Sequence, residues 1–397
     1  MNNQHLELKK CIQNTLGQEI LYSKDCILLE EDIFDKIHLK ISAQTLRRLF
    51  GFLADKVQIS NTSLKHLSNY CGYTSYNELL NDSYNLSEDN YTSDLKYIKL
   101  FYSVDFSNSN FDENYHNASK NLAKTILKNK GLLDKTATYL AKNKTAQIYF
   151  FERFPYIDGL ANGYQIHVQK YLKEKKNTEA QLFGHCLLYL GLALSNNSNR
   201  TEVLNKINAM KITESIHPFP LARKYMSNIL EHYLNNNSIE LEKWIKESLN
   251  ESAKVYKLKK EYSIFPFFQI IIADVLNLIN RPNEAAEIIK IAELDYKRIP
   301  NSSLDIGYFE VFDLIKAINL FQLGKINDAK RILKRTKSTD VIFIMHDYFL
   351  IQRLMIELQL IQSKKSIKYV AKCNELKKVI RKTNFTFFEN KLNFFIP

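Results

Sequence analysis

Apolar residues recur along most of this chain at the three- and four-residue spacing that gives a helix one apolar face. Leu29, Ile33 and Ile37 follow a start signal at Ser23-Lys-Asp25. A second helix opens after Ser42, whose hydroxyl suits the first free backbone amides. In that helix Ala43, Leu46, Leu49, Phe50 and Leu53 fall on one side. Gln44, Thr45 and Arg48 fall on the other, with Arg47 flanking. Ser60 or Asn61 opens the next helix, which aligns Leu64, Leu67 and Cys71 and stops at Gly72. Ser75 and Glu78 have capping-box spacing for a short closing helix carrying Leu79 and Leu80. The pattern predicts a bundle of four or five helices over residues 1–80.

The pattern lapses over residues 81–115, where Ser, Asn, Asp and Tyr dominate, and this stretch reads as an acidic polar linker around a short helix near Leu95–Tyr102. From 116 to 397 the helical spacing returns with short polar breaks. One internal repeat is legible: Ala273–Ala292 aligns with Ala317–Thr336 at a constant offset of 44, each copy carrying a turn at Asn280 or Gly324 and then an acid-Ala pair. Leu187–Ile207 reads as a third, weaker unit. With only 10 glycines and 7 prolines, a turn-rich β fold is disfavoured and the expected class is all-α.

Charge changes the picture locally more than globally. The formal net charge of +12 suits a nucleic-acid partner, but abundant Lys, Asn, Ile, Phe and Tyr also follow from the codon bias of an AT-rich genome. Its distribution is more telling. Residues 36–66 hold six basic side chains (Lys36, Lys40, Arg47, Arg48, Lys56, Lys65) against Asp55, whereas the rest of 1–80 holds three basic and eight acidic ones. A DNA-facing surface predicts that asymmetry and codon bias does not. Gln and Arg on the exposed face of a second helix are what base reading requires, since Arg donates twice to guanine and Gln pairs with adenine. The expected DNA-binding set is Ser42, Gln44, Thr45, Arg47, Arg48, Lys56 and Lys65. Ser42 would cap the helix and touch a phosphate, Gln44, Thr45 and Arg48 would read bases, and Arg47, Lys56 and Lys65 would neutralise phosphates. The C-terminal stretch 320–397 is also basic, with sixteen basic and six acidic side chains. Its runs Lys330–Arg335 and Lys377–Lys382 read either as a solvated face or as an extended footprint.

The segment Ile41–Leu80 resembles the Cro/repressor type of helix-turn-helix, in which a recognition helix ending at Gly precedes a Ser-capped helix. It is also similar to the N-termini of Bacteroidota proteins that pair this motif with a long helical region. That likeness extends to Tyr149–Asp158 and His217–Leu221. One departure stands out: the usual small residue of the first helix is missing, Phe34 and Ile37 face the turn, and the turn reads one residue long. The repeat resembles the tetratricopeptide pattern, with a period longer than that family's 34. These resemblances imply a helix-turn-helix bundle over 1–80, a linker over 81–115 and a degenerate tetratricopeptide-like α-solenoid over 116–397. The architecture is similar to that of peptide-sensing regulators and implies double-stranded DNA, a peptide or protein in the groove, and a homodimer as partners. An aromatic-lined groove and a plain core are both open to Phe265, Phe267, Phe268, Tyr308, Phe309, Phe312 and Phe321.

No catalytic constellation, metal-ligand spacing or cofactor motif emerges, so neither an enzyme nor a metal or cofactor site is expected. Five scattered cysteines without a C-x-x-C pair fit reduced thiols. The start Met1-Asn-Asn-Gln-His has no signal-peptide pattern, and no apolar run approaches the roughly 20 residues of a membrane span. A cytoplasmic bacterial transcriptional regulator is the expectation. Its rival is a non-enzymatic scaffold whose N-terminal bundle docks protein.

Overall fold

The computed structural model describes residues 5–53, 57–79, 88–104, 113–212, 216–258, 266–296, 306–337, 339 and 341–392. These residues are overwhelmingly helical and contain no strand. The chain divides into two compact units, Met1–Tyr97 and Ile98–Pro397.

In the first unit, helices α1 (Leu6–Leu16), α2 (Asp25–Ile37), α3 (Ala43–Phe50) and α4 (Asn61–Tyr70) bury one core. Leu8 and Ile12 of α1 join Cys26, Leu29 and Ile33 of α2, Leu46 and Leu49 of α3, and Leu64 and Leu67 of α4. The α2 stripe is therefore Cys26-Leu29-Ile33, with Ile37 only half-buried at its end. Phe34, expected to face the turn, is instead 51% exposed. The five-residue connection accounts for this: His38 takes a left-handed conformation (φ 55) and Ile41 supplies the apolar plug, 4% exposed. A polar tie crosses three helices. Tyr70 donates to the Asp32 carboxylate, and Lys36 Nζ reaches Asp32 at 2.8 Å and the Thr15 carbonyl at 3.2 Å.

The segment expected as a linker holds helix α5 (Glu88–Phe101), which runs into the second unit. Ile98 and Tyr102 are buried there, and Phe101 stacks on Tyr115 at 4.7 Å, so this part is core and not tether. Its acidic composition hid the few apolar positions that matter. Helices α6 (Glu113–Lys128) and α7 (Lys130–Lys142), a wide-wound turn at Gln147–Glu152, an irregular segment over 157–164 and α8 (Gln165–Glu174) follow.

Ten helices then pair as five successive hairpins. They are α9 (Thr178–Leu194) with α10 (Arg200–Ala209), α11 (Pro218–Leu234) with α12 (Ser238–Leu258), and α13 (Phe267–Leu278) with α14 (Pro282–Tyr296). The last two are α15 (Ile306–Gln322) with α16 (Ile326–Arg335) and α17 (His346–Gln359) with α18 (Ile367–Thr383). The first helix of each hairpin packs on its own partner and on the first helix of the next. The legible repeat is α13/α14 and α15/α16, and the weaker unit is α9/α10. Pattern reading missed α11/α12 because Leu241 stands where the other two carry the fully buried Ala285 and Ala329.

One turn recurs in the first four hairpins. Asn196, Asn236, Asn280 and Gly324 are left-handed (φ 52, 53, 61 and 75). The following amide bonds back five residues each time, Asn197 to Leu192, Asn237 to His232, Arg281 to Leu276 and Lys325 to Leu320, at 2.8–2.9 Å. This 6→1 bond consumes a carbonyl that the helix end would otherwise leave open. Five residues before the left-handed position sits a polar clamp. Glu231, 2% exposed, accepts from Tyr189 (2.9 Å), Arg200 (3.0 Å), Thr201 (2.6 Å) and Asn235 (3.0 Å). Asn319, at the equivalent place, donates to Asn277 Oδ1 (3.1 Å) and the Pro282 carbonyl (2.7 Å). Val275 fills the intervening position, and there Arg281 instead bridges Glu242 of α12 and Glu284 of α14.

The array closes on itself. Asp158 accepts from the amides of Asp347 (2.8 Å) and Tyr348 (2.9 Å), the first turn of α17, from 189 residues earlier. Asn162 donates to the Lys382 carbonyl and Asn384 to the Ala161 carbonyl, each at 3.1 Å. Gly191 allows α9 to approach the same segment, since a Cβ there would lie 3.0 Å from the Leu160 carbonyl oxygen. Within the array Phe268 and Phe312 are core, Phe267 and Tyr308 are half-buried, and Phe265 lies outside the described residues.

Two outcomes follow. Glu231→Ala should destabilise the chain by about 1–3 kcal/mol, read by urea unfolding, because the buried Tyr189 hydroxyl loses its acceptor and the half-buried Arg200 its carboxylate. Asp158 is pushed up to about 7, by burial first and by Asp347 second. The folded chain therefore holds a proton there across a window, from roughly pH 4 up to that value, in which the unfolded chain does not. Stability from this site falls as pH rises through the window. Wild type should lose stability relative to Asp158→Asn between about pH 5 and about pH 8 in paired urea titrations.

Candidate nucleic-acid interface

Helix α3 forms because its ends are closed locally. Ser42, extended at φ −66 and ψ 145, accepts from the Thr45 amide at 3.3 Å. The half-buried Glu30 of α2 accepts from the Ala43 amide at 3.1 Å, placing a carboxylate at the positive end of α3. At the other end the Phe52 amide bonds to the Arg47 carbonyl at 2.8 Å across Gly51, which is left-handed at φ 82. Leu46 and Leu49 then anchor the helix on the core. The role of Glu30 depends on a contact thirteen residues away that no local spacing reveals.

The seven residues singled out from sequence have different fates. Gln44 is exposed on the outer side of α3, and Lys65 is exposed on α4. Thr45 turns its hydroxyl to Ser42, 3.0 Å away, so both belong to the cap. Arg47 is half-buried and its Nε donates to the Ser23 carbonyl at 3.2 Å, tying α3 to the start of α2. The same guanidinium lies near Cys26, whose thiol burial pushes up to about 11 with Arg47 opposing. Arg48 is half-buried and engaged within the chain. Lys56 lies outside the described residues. Of the other basic side chains in the stretch, Lys40 is exposed, while Lys36 is spent on Asp32, Thr15 and the Tyr70 ring, 5.1 Å away.

Helix α4 repeats the capping device. Ser60 accepts from the Ser63 amide at 3.2 Å, and Leu64, Leu67, Ser68 and Tyr70 are buried. Ser75 accepts from the Glu78 amide at 3.1 Å, and the Glu78 carboxylate takes the Thr74 amide and hydroxyl, which hold its pKa below the usual carboxylate range. The bundle exposes Gln44 on α3, Lys40 ahead of it and Lys65 on α4, while most of its acids lie in α2. Among the described residues no group of His, Cys, Asp and Glu side chains could hold a metal ion, and no helix is long and apolar enough to cross a membrane.

No protein-family model matches this chain, and neither a curated protein nor a solved structure matches it.

Ser42→Ala should cost about 0.5–2 kcal/mol by leaving the Thr45 amide without its acceptor. Faster hydrogen exchange of the first α3 amides, with α1 and α4 protected as before, is the expected readout.

Proposed function

We propose that the chain is a bacterial transcriptional regulator in which a helix-turn-helix within residues 1–80 binds double-stranded DNA. A tetratricopeptide-like array binds an effector and brings two copies together. The observation that carries this reading is the coincidence of an amphipathic α3, capped at both ends and exposing Gln44, with the basic bias of residues 36–66. Half of that bias is committed to internal contacts, so Gln44, Arg48 and Lys65 are the residues on which the reading depends. Arg48 is engaged within the free chain, and base contact requires it to exchange that interaction for a guanine edge. The recurring hairpin turn supports the array reading, and a peptide or protein effector fits a stack of hairpins.

A non-enzymatic scaffold is the second reading, favoured by the internal engagement of Arg47 and Lys36. Salt titration of duplex DNA binding separates the two. A DNA reader loses affinity with a log–log slope of about −0.9 per phosphate neutralised, and Lys65→Ala should make that slope about one unit shallower for every sequence. Arg48→Ala should reduce discrimination between selected and scrambled duplexes by about 1–3 kcal/mol. Salt-insensitive or absent DNA binding removes the regulator reading and leaves the scaffold.

A further inference from the structure

Closure of the array encloses a cavity lined by the first helices of all five hairpins, with an empty volume of about 540 Å³ counted out to its open mouth. The cavity proper has a volume of only about 50 Å³, so a small molecule fits and a long segment does not. Its wall is apolar, with Ile270, Ile271, Met226 and Met345 prominent, apart from a few polar side chains. Two of those carry opposite charges on neighbouring helices, Arg223 of α11 and Asp274 of α13.

Their surroundings differ. Arg223 is 5% exposed, its Nη1 has only the Met226 sulfur at 3.9 Å, and its guanidinium lies 5.2 Å from the centre of the Phe219 ring. Its Nε finds no acceptor among the described residues, and no ion pair joins it to a described carboxylate. Arg stays protonated under burial, so a charge sits in an apolar chamber without the planar acceptor its fork suits. Asp274 is half-buried and lines the same chamber; Tyr348 donates to one of its oxygens at 2.9 Å and Gln352 to the other at 3.4 Å. Those donors hold the carboxylate in place and leave it lone pairs for a cation. A lone anionic ligand would meet Arg223 but be opposed by Asp274, whereas a zwitterion adds no net charge to the chamber.

We propose that this cavity binds a single small α-amino acid with an apolar side chain. Arg223 takes the carboxylate, Asp274 takes the ammonium, and the Ile and Met wall takes the side chain. The inference goes beyond the regulator reading and does not rest on it, because binding is measured directly and without DNA.

Isothermal titration of the full chain with valine and with leucine tests it, alongside 4-methylpentanoate and isopentylamine as the two half-charged analogues. Saturable binding of an amino acid at least about tenfold tighter than either analogue is expected. Arg223→Met, close in volume and without charge, should keep or raise the melting temperature and weaken binding by about tenfold or more. Asp274→Asn retains an acceptor for Tyr348 and should weaken the amino acid while leaving 4-methylpentanoate equal or improved. It also keeps the test decisive if the Arg223 variant fails to fold. The proposal is overturned by no saturable binding of either amino acid at about 1 mM, by analogues binding as well as the zwitterion, or by wild-type affinity in either folded variant.

Discussion

Two backbone amides on one carboxylate hold the second unit in its present form. Asp158 sits in an irregular segment before the hairpins begin and receives the first amides of α17, in the last of them. Burying a carboxylate is unfavourable, and burial pushes this one up to about 7. What offsets part of the cost is the positive end of a helix and two hydrogen bonds that α17 would otherwise lack. Lys382, 2.7 Å from Asp347, adds a cation to the joint, and His346, 3.0 Å from it, adds an imidazole whose pKa its hydrogen bond to Asp347 raises. Because the joint ties the segment before the first hairpin to the last hairpin, it converts a row of hairpins into an enclosure. The inner helices are left facing one another across a common chamber.

The hairpins themselves follow a simpler economy. A left-handed Asn or Gly ends each of the first four opening helices, and the residue after it closes a carbonyl five positions back. Between hairpins, the fifth position before that turn carries Glu231 or Asn319, whose partners lie at the start of the preceding hairpin's second helix. Buried polar clamps of this kind fix how far one hairpin slides on the next, because a slip would strand several donors at once. Apolar packing alone would tolerate such a slip. The same demand for satisfied polar atoms makes Arg223 conspicuous: it sits in a unit where most buried charges have several partners.

The N-terminal bundle balances two uses of its basic residues. Lys36 and Arg47 serve the fold, one across α1, α2 and α4, the other between α3 and α2. Lys40, Gln44 and Lys65 remain on the surface. A basic stretch in sequence is thus a mixture of structural ties and free charge, and an interface built here would be smaller than the count of Lys and Arg implies.

Helix content, the Ser42 and Ser60 caps, the Leu46–Leu49 anchor and two of the repeating hairpins were legible in the chain alone. Each rests on interactions within a few residues, and local spacing records those. The left-handed Asn turns were half visible: Asn280 and Gly324 stood out beside their acid-Ala pairs, while Asn236 went unnoticed beside Leu241. The engagement of Arg47 by Ser23, the Glu30 cap on α3, the docking of α5 and the Asp158 joint depended on contacts distant along the chain, and nothing in periodicity records them. The sequence by itself determined which stretches become helices and where they stop, because caps and apolar spacing act locally. Only the tertiary structure decided that the array closes and that Arg223 and Asp274 share a chamber, because those outcomes depend on which distant backbone groups find each other once the helices pack.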